Sequence, residues 1–216
     1  METAAPIGGV ALWKDDAVVG ERSMTAPLRH SEELLSMLEG LLADRGIERQ
    51  QIDLVSVNCG PGSFTGLRIG MATAKGICQA LRRPLVGVDG TLAYRSRLDP
   101  EARVCVLIPS RRDLVYARWF ARERPLGETE IRSAADVMRR LVEEERPTTA
   151  IGPGAEALRA DLEAISCVTL SEEALNRPSA GRIACLGAES CDSDRLYDLE
   201  PLYVEPVLVR ATGAKR

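Results

Sequence analysis

Apolar positions along the chain run through one cycle of spacings and then repeat it. Gly8-Gly-Val-Ala-Leu-Trp13 and Ala17-Val-Val-Gly-Glu-Arg-Ser-Met24 are strand-like and flank the polar turn Lys14-Asp15-Asp16, which predicts a hairpin. Ser31 can cap a helix reaching about Arg45, with Glu32 and Glu33 in the first turn, where the helix dipole favours them. Leu34, Leu35, Leu38, Leu41 and Leu42 recur at helical spacing and give this helix a broad apolar face; Gly46 stops it. The run Ile52–Cys59 reads as a buried strand. After the glycine-rich stretch Gly60–Gly70 comes a helix-patterned run, Ile69–Leu81, and then the short strand Pro84–Val88.

Around Asp89–Pro100 the pattern restarts. Val104–Ile108 and Leu114–Phe120 predict a second hairpin, and Ser133–Glu145 a helix with Val137, Met138, Leu141 and Val142 inward. Thr148–Ile151 is a strand leading into Gly152-Pro153-Gly154-Ala155, again a glycine turn, and a final helix is expected over Ser179–Cys191. The repeated order of hairpin, helix, strand, glycine turn and helix predicts an α/β protein of two related halves, residues 1–100 and 101–216.

The most informative segment is Gly60-Pro-Gly-Ser-Phe-Thr-Gly-Leu-Arg-Ile-Gly70. A strand entering a glycine turn and then a helix start aims backbone N–H groups and the positive end of the helix dipole at one spot. Gly60 and Gly62 can take positive φ, and Gly66 permits close backbone approach. Ser63 and Thr65 add hydroxyls, and Arg68 adds a planar cation. Such a segment suits an oxyanion or nucleotide phosphate, or else close packing against another backbone in a ligand-free turn. It is not a Walker A loop, because Leu67-Arg68 stands where Lys-Ser/Thr is required. Nor is it a dinucleotide fingerprint, since the glycine spacing is one residue too long.

Charge narrows the partners. With 28 Lys and Arg against 32 Asp and Glu, the 216-residue chain carries a net charge of −4. Residues 1–100 hold eleven basic against twelve acidic side chains, and residues 101–216 seventeen against twenty, so neither half offers a bulk positive field for nucleic acid. The six cysteines (59, 78, 105, 167, 185 and 191) include no Cys-x-x-Cys and read as small apolar residues in a reducing compartment. No apolar run approaches membrane-spanning length, and a cytoplasmic protein is expected.

With His30-Ser31-Glu32-Glu33-Leu34-Leu35 some thirty residues earlier, the segment Gly60–Gly70 closely resembles the TsaB (YeaZ) family, and the resemblance extends from the first residues to about Val204. It implies an actin-like (ASKHA, RNase H-like) fold of two α/β subdomains. The implied function is that of a non-catalytic subunit that binds and activates TsaD in threonylcarbamoyl transfer to adenosine 37 of tRNA (t6A modification). TsaE, an ATPase, is the implied further partner, and contact with tRNA would be indirect. Two helices would form the TsaD interface: His30, Leu34, Leu35, Leu38, Leu41 and Leu42 on the first, and Ile69, Gly70, Ala72, Thr73, Gly76 and Ala80 on the second. A homodimer through the same surface is expected when TsaD is absent, because such a patch is costly to leave wet. Relatives also begin with several apolar residues before the equivalent of Glu2-Thr3. Either the start codon is assigned too late or the first strand is lacking; the former is favoured, because losing a central strand exposes two sheet edges. Ser110 stands where the family has Asp, and Val204-Glu205-Pro206 replaces its usual Leu-Arg ending.

The residues themselves offer little catalysis. His30 is the sole histidine, so a two-histidine metal site cannot be built within the chain, and no cofactor is expected. It is read as positioning its helix by a hydrogen bond, with partner contact as the alternative. Ser-His-Asp and Cys-His arrangements are not credible, which disfavours peptidase activity. The alternative of a small actin-like ATPase or sugar-kinase-like enzyme would use both glycine turns, with Glu2 and Asp89 as the acids that hold Mg²⁺.

Overall fold

Met1–Glu2 lies between two hairpin-sized sheets and is bonded to both. The computed structural model describes residues 1–24, 30–190 and 196–204. In the first half, β1 (Gly8–Lys14) and β2 (Ala17–Met24) form the expected hairpin, with Asp15 and Asp16 at positive φ in the turn. β3 (Val55–Gly60) and β4 (Leu85–Asp89) form a separate parallel pair. Between the two, Glu2 exchanges both backbone hydrogen bonds with Gly9, at 2.8 and 2.9 Å. On the other side the Met1 ammonium donates to Ser56 O at 2.6 Å, and Asn58 N–H donates to Met1 O at 3.0 Å.

Helices cover both faces. α1 (His30–Asp44) and α2 (Phe64–Leu81) lie on one face, where Leu34, Leu41, Met71, Ala74 and Cys78 close a core with Val10, Val55 and Val57. α7 (Ala180–Glu189) lies on the other face, with Ile183 packed against Val86 and Val88. With helices on both faces, every residue of β3 is buried, Ser56 and Asn58 included.

α2 begins at Phe64, five residues earlier than the helical pattern predicts. Ser63 is its N-cap, its Oγ accepting from Gly66 N–H at 3.2 Å. The glycines that hid this first turn are tolerated because they press on another part of the chain, a tertiary gain that overrides low helix propensity.

The second half is one sheet. β5 (Arg103–Pro109) and β6 (Leu114–Ala121) form the second hairpin. β7 (Arg124–Pro125) and β8 (Glu130–Ser133) add to β6, while β9 (Thr148–Ile151) and β10 (Val168–Leu170) extend the sheet from β5 in parallel. α4 (Ala134–Glu144) is capped by Ser133 and buries Val137 and Leu141 against Trp119. Val142 does not turn inward as expected. It is 54% exposed, lying off the stripe that Val137 and Leu141 share at i, i+4. After β9 come two five-residue helices, α5 (Pro153–Ala157) and α6 (Arg159–Glu163), where the glycine turn predicts one.

The halves meet around α3 (Gly90–Arg95). Asp89 caps it, accepting from Thr91 N–H at 2.8 Å, and pairs with Arg118 of β6. Arg95 donates to Arg122 O at 2.7 Å and Pro100 O at 2.6 Å, and Arg97 donates to Leu175 O at 2.9 Å. Although α7 lies within residues 101–216, it packs on β1 and β3; Leu199 also joins the first core. Cys59, Cys78, Cys105 and Cys185 are buried and form no disulfide, and Cys191 lies outside the described residues.

Burial lowers the Met1 amine from its ordinary 8.0 to about 6, opposed by the nearby Glu2 and Glu21 carboxylates. Between these values the unfolded chain holds more protons than the folded one, so this group makes stability rise with pH. Across the interval the gain is roughly 2–3 kcal/mol. Glu2, whose carboxyl burial pushes upward, acts in the opposite sense. Urea unfolding of the 216-residue chain at pH 6 and 8.5, beside its Nα-acetylated form, isolates the amine: the difference between the two forms is expected to shrink as pH rises.

Candidate functional site

Two surfaces carry the residues singled out from the sequence. At the first, the glycine segment meets the N-terminal turn. A side chain at Gly62 would lie under 3.0 Å from Ala4 O, one at Gly66 equally close to Thr3 O, and one at Gly70 to Thr3 Oγ1. Gly60 and Gly62 have φ of 121° and 158°, which side chains rarely adopt. The segment thus packs closely against another stretch of backbone.

Four backbone donors of the segment are engaged within the chain. Ser63 N–H donates to Ala4 O at 2.7 Å, Gly66 N–H to Ser63 Oγ, Leu67 N–H to Ser63 O at 2.8 Å, and Gly60 N–H to Asn58 Oδ1 at 2.8 Å. Thr65 is exposed beside them. Arg68 turns outward: its guanidinium lies 3.9 Å from the Phe64 ring centre, and its Nε donates to the Tyr203 hydroxyl at 3.1 Å.

The two acids considered for Mg²⁺ are also occupied. The Glu2 carboxylate is buried, accepting from Asn58 Nδ2 at 2.6 Å and Ala4 N–H at 2.7 Å. Asp89 is held by Arg118 and Thr91. The second glycine turn repeats the pattern of the first. Side chains at Gly152 and Gly154 would collide with the Leu107 backbone, and Gly152 N–H donates to Asn176 Oδ1 at 2.8 Å.

The second surface is a groove of about 580 Å³ between α1 and α2. It brings together Leu35, Leu38 and Leu42 from α1 with Ala72, Thr73, Gly76 and Ala80 from α2. Leu35 is 47% exposed, and nothing lies within 4 Å of where a Gly76 side chain would start, so the floor is shallow and open. Glu39 and Arg49, paired at 2.7 Å, also line it.

The remaining interface candidates lie elsewhere. Leu34 and Leu41 are core residues, Gly70 is buried against Thr3, and Ile69 is half-buried without lining the groove. The side chain of His30 lies outside the described residues. Ile77 and Leu81 of α2 also line the groove, and their i+4 and i+8 spacing from Thr73 was legible. Ile52, which joins them from the segment before β3, carried no such signal.

The family model for TsaD, tRNA N6-adenosine threonylcarbamoyltransferase, matches residues 24–191. An uncharacterized protein of Mycobacterium tuberculosis is 33% identical over 207 residues, 94% of this chain and 89% of its own length. The tRNA threonylcarbamoyladenosine biosynthesis protein TsaB of Bacillus subtilis is 27% identical, covering 91% of this chain and 88% of its own. TsaB of Escherichia coli is 30% identical over 57% of this chain and 54% of its own length. Among solved structures, YeaZ from Pseudomonas aeruginosa superposes with a TM-score of 0.71 at 22% identity, covering 94% of this chain and 96% of that one.

Fold and sequence together therefore define an actin-like (ASKHA) α/β protein. Within that class, the chain belongs to the TsaB (YeaZ) family.

Gly66→Ala is expected to cost roughly 2 kcal/mol or more, because Thr3 backbone must move to admit the methyl group. Gly76→Ala, facing open space in mid-helix, is expected to stabilise by up to about 1 kcal/mol. Urea unfolding midpoints of the two variants check the contrast.

Proposed function

We propose that this protein is a non-catalytic subunit of tRNA threonylcarbamoyladenosine biosynthesis that binds and activates a TsaD-type threonylcarbamoyltransferase. The Escherichia coli and Bacillus subtilis relatives, tRNA threonylcarbamoyladenosine biosynthesis proteins, support the pathway. The observation that carries the finer reading is the α1–α2 groove, an apolar trough floored by alanine and glycine and walled by leucine. Small residues on α2 let a partner helix approach closely, and the exposed Leu35 supplies a knob. A matching helix pair on TsaD would complete a four-helix contact.

A scaffold role agrees with how the acids are used. Glu2 and Asp89 are spent on hydrogen bonds and an ion pair that hold the fold. The acidic balance leaves the main tRNA phosphate contacts to the partner. The site of work is the cytoplasm; among the described residues, no helix is long and apolar enough to cross a membrane. When TsaD is lacking, a second copy covers the groove. A TsaE-type ATPase joins the assembly on the strength of the family resemblance.

Leu35→Asp combined with Ala72→Asp places two charges in the groove while leaving the core intact. The Kd for TsaD from the same organism is expected to weaken by about 100-fold or more, as for loss of interface anchors. Threonylcarbamoyl transfer in a reconstituted assay should fall with it. Val142→Asp, on the exposed side of α4, should change neither. Unchanged TsaD binding by the double variant would refute the groove as the docking site.

A further inference from the structure

The described residues end at Val204, one position past Tyr203, which sits on the first turn of α2. Leu202 N–H donates to Cys59 O at 2.7 Å. The Tyr203 ring centre lies 5.3 Å from that of Phe64, and the Tyr203 hydroxyl accepts from Arg68 Nε at 3.1 Å. Leu202, Tyr203 and Phe64 all remain exposed, so an apolar strip continues past these contacts. Phe64, Arg68, Ala72 and Gly76 follow one another at i, i+4 along α2. That row leads from Tyr203 into the α1–α2 groove, which Ala72 and Gly76 line. Gly76 is roughly 12 Å along the helix axis from Arg68.

The sequence after Val204 is Glu205-Pro206-Val207-Leu208-Val209-Arg210. Proline favours extended backbone at the residue before it, and Val207-Leu208-Val209 is an apolar run that is costly to leave wet. Leu208 follows Tyr203 by five positions, and five extended residues span roughly 17 Å, enough to bring it to Gly76. There the groove offers leucine walls, and nothing lies within 4 Å of where a Gly76 side chain would start. Charge agrees with the fit. α1 carries Glu32, Glu33, Glu39 and Asp44 and no lysine or arginine, although Arg49 and Arg22 already meet Glu39 and Asp44. Behind the apolar run come Arg210, Lys215 and Arg216, with Glu205 the one acid of residues 205–216, in a chain whose net charge is −4.

We infer that the segment Val207–Val209 of the same chain seats in the α1–α2 groove of the monomer, with Leu208 over Gly76, and that any partner subunit must displace it. The Tyr203 contacts tether the run beside its seat, at a local concentration on the order of millimolar, so a weak contact is enough to hold it there. A segment that fills the groove about nine-tenths of the time lowers the affinity for every other occupant about 10-fold. A second copy and a TsaD-type subunit therefore meet the same competitor. The inference rests on the groove as a docking site, and it holds whichever partner takes that site.

The first test places the photo-crosslinker p-benzoylphenylalanine at position 208 of the 216-residue chain, at a dilution that keeps the chain monomeric and with no partner present. Cross-links to Leu35–Leu42 or Ala72–Leu81 are expected in a product of monomer mass. Cross-links confined to other segments, or found only in a product of dimer mass, overturn the proposal. The second test measures competition. Leu208→Asp combined with Val209→Asp is expected to tighten the Kd for the TsaD-type subunit about 10-fold, while Leu208→Met keeps the parent value. An unchanged Kd in the double variant overturns the competition. Should neither parent nor variant bind TsaD, the reading of the partner fails by itself; self-association by sedimentation then carries the same comparison, with the same tightening of about 10-fold expected and equal dimer Kd values overturning it.

Discussion

Backbone lies directly on backbone where Thr3 and Ala4 cross the start of α2, and this contact requires that Gly62, Gly66 and Gly70 have no side chains. The approach fixes the N-terminal turn, whose residues Met1 and Glu2 are the only described link of backbone hydrogen bonds between β1 and β3. It also fixes the axis of α2, and with it the trough that α2 makes with α1. The contact has a cost: Thr3 Oγ1 is buried without a hydrogen-bond partner among the described residues. Shape complementarity offsets it.

The second half uses the same device, since Gly152 and Gly154 bring a turn onto the Leu107 backbone. In both halves at least part of the glycine turn's backbone is bonded within the chain: Ser63 N–H to Ala4 O, and Gly152 N–H to Asn176 Oδ1.

Much of the fold was legible before any coordinates. Both hairpins, the buried strand at Val55–Gly60, the helix through Leu34–Leu42 and the final helix follow from periodicity and punctuation, although α1 starts at His30, one residue ahead of the Ser31 read as its cap. The misses have physical causes. The first turn of α2 was hidden because two glycines in six residues read as loop, and only their contact with Thr3 offsets the propensity they lose. Val142 was placed inward because apolar character does not state which stripe a helix buries. β7 and β10, of two and three residues, are too short to show a period.

At the groove, Leu35, Leu38, Leu42, Ala72, Thr73, Gly76 and Ala80 of the residues singled out from the sequence line the trough, whereas Leu34 and Leu41 lie in the core. Leu34 and Leu35 are adjacent and equally apolar, yet one is fully buried and the other half-exposed, because successive positions on a helix point about 100° apart. The sequence by itself determined the elements, their order, the glycine positions and the family, all properties of local spacing. Tertiary structure decided which donors are spent, which leucines face outward, and that α7 returns to cover the first half. Those outcomes depend on what lies across the gap from each residue, and distance along the chain carries no record of it.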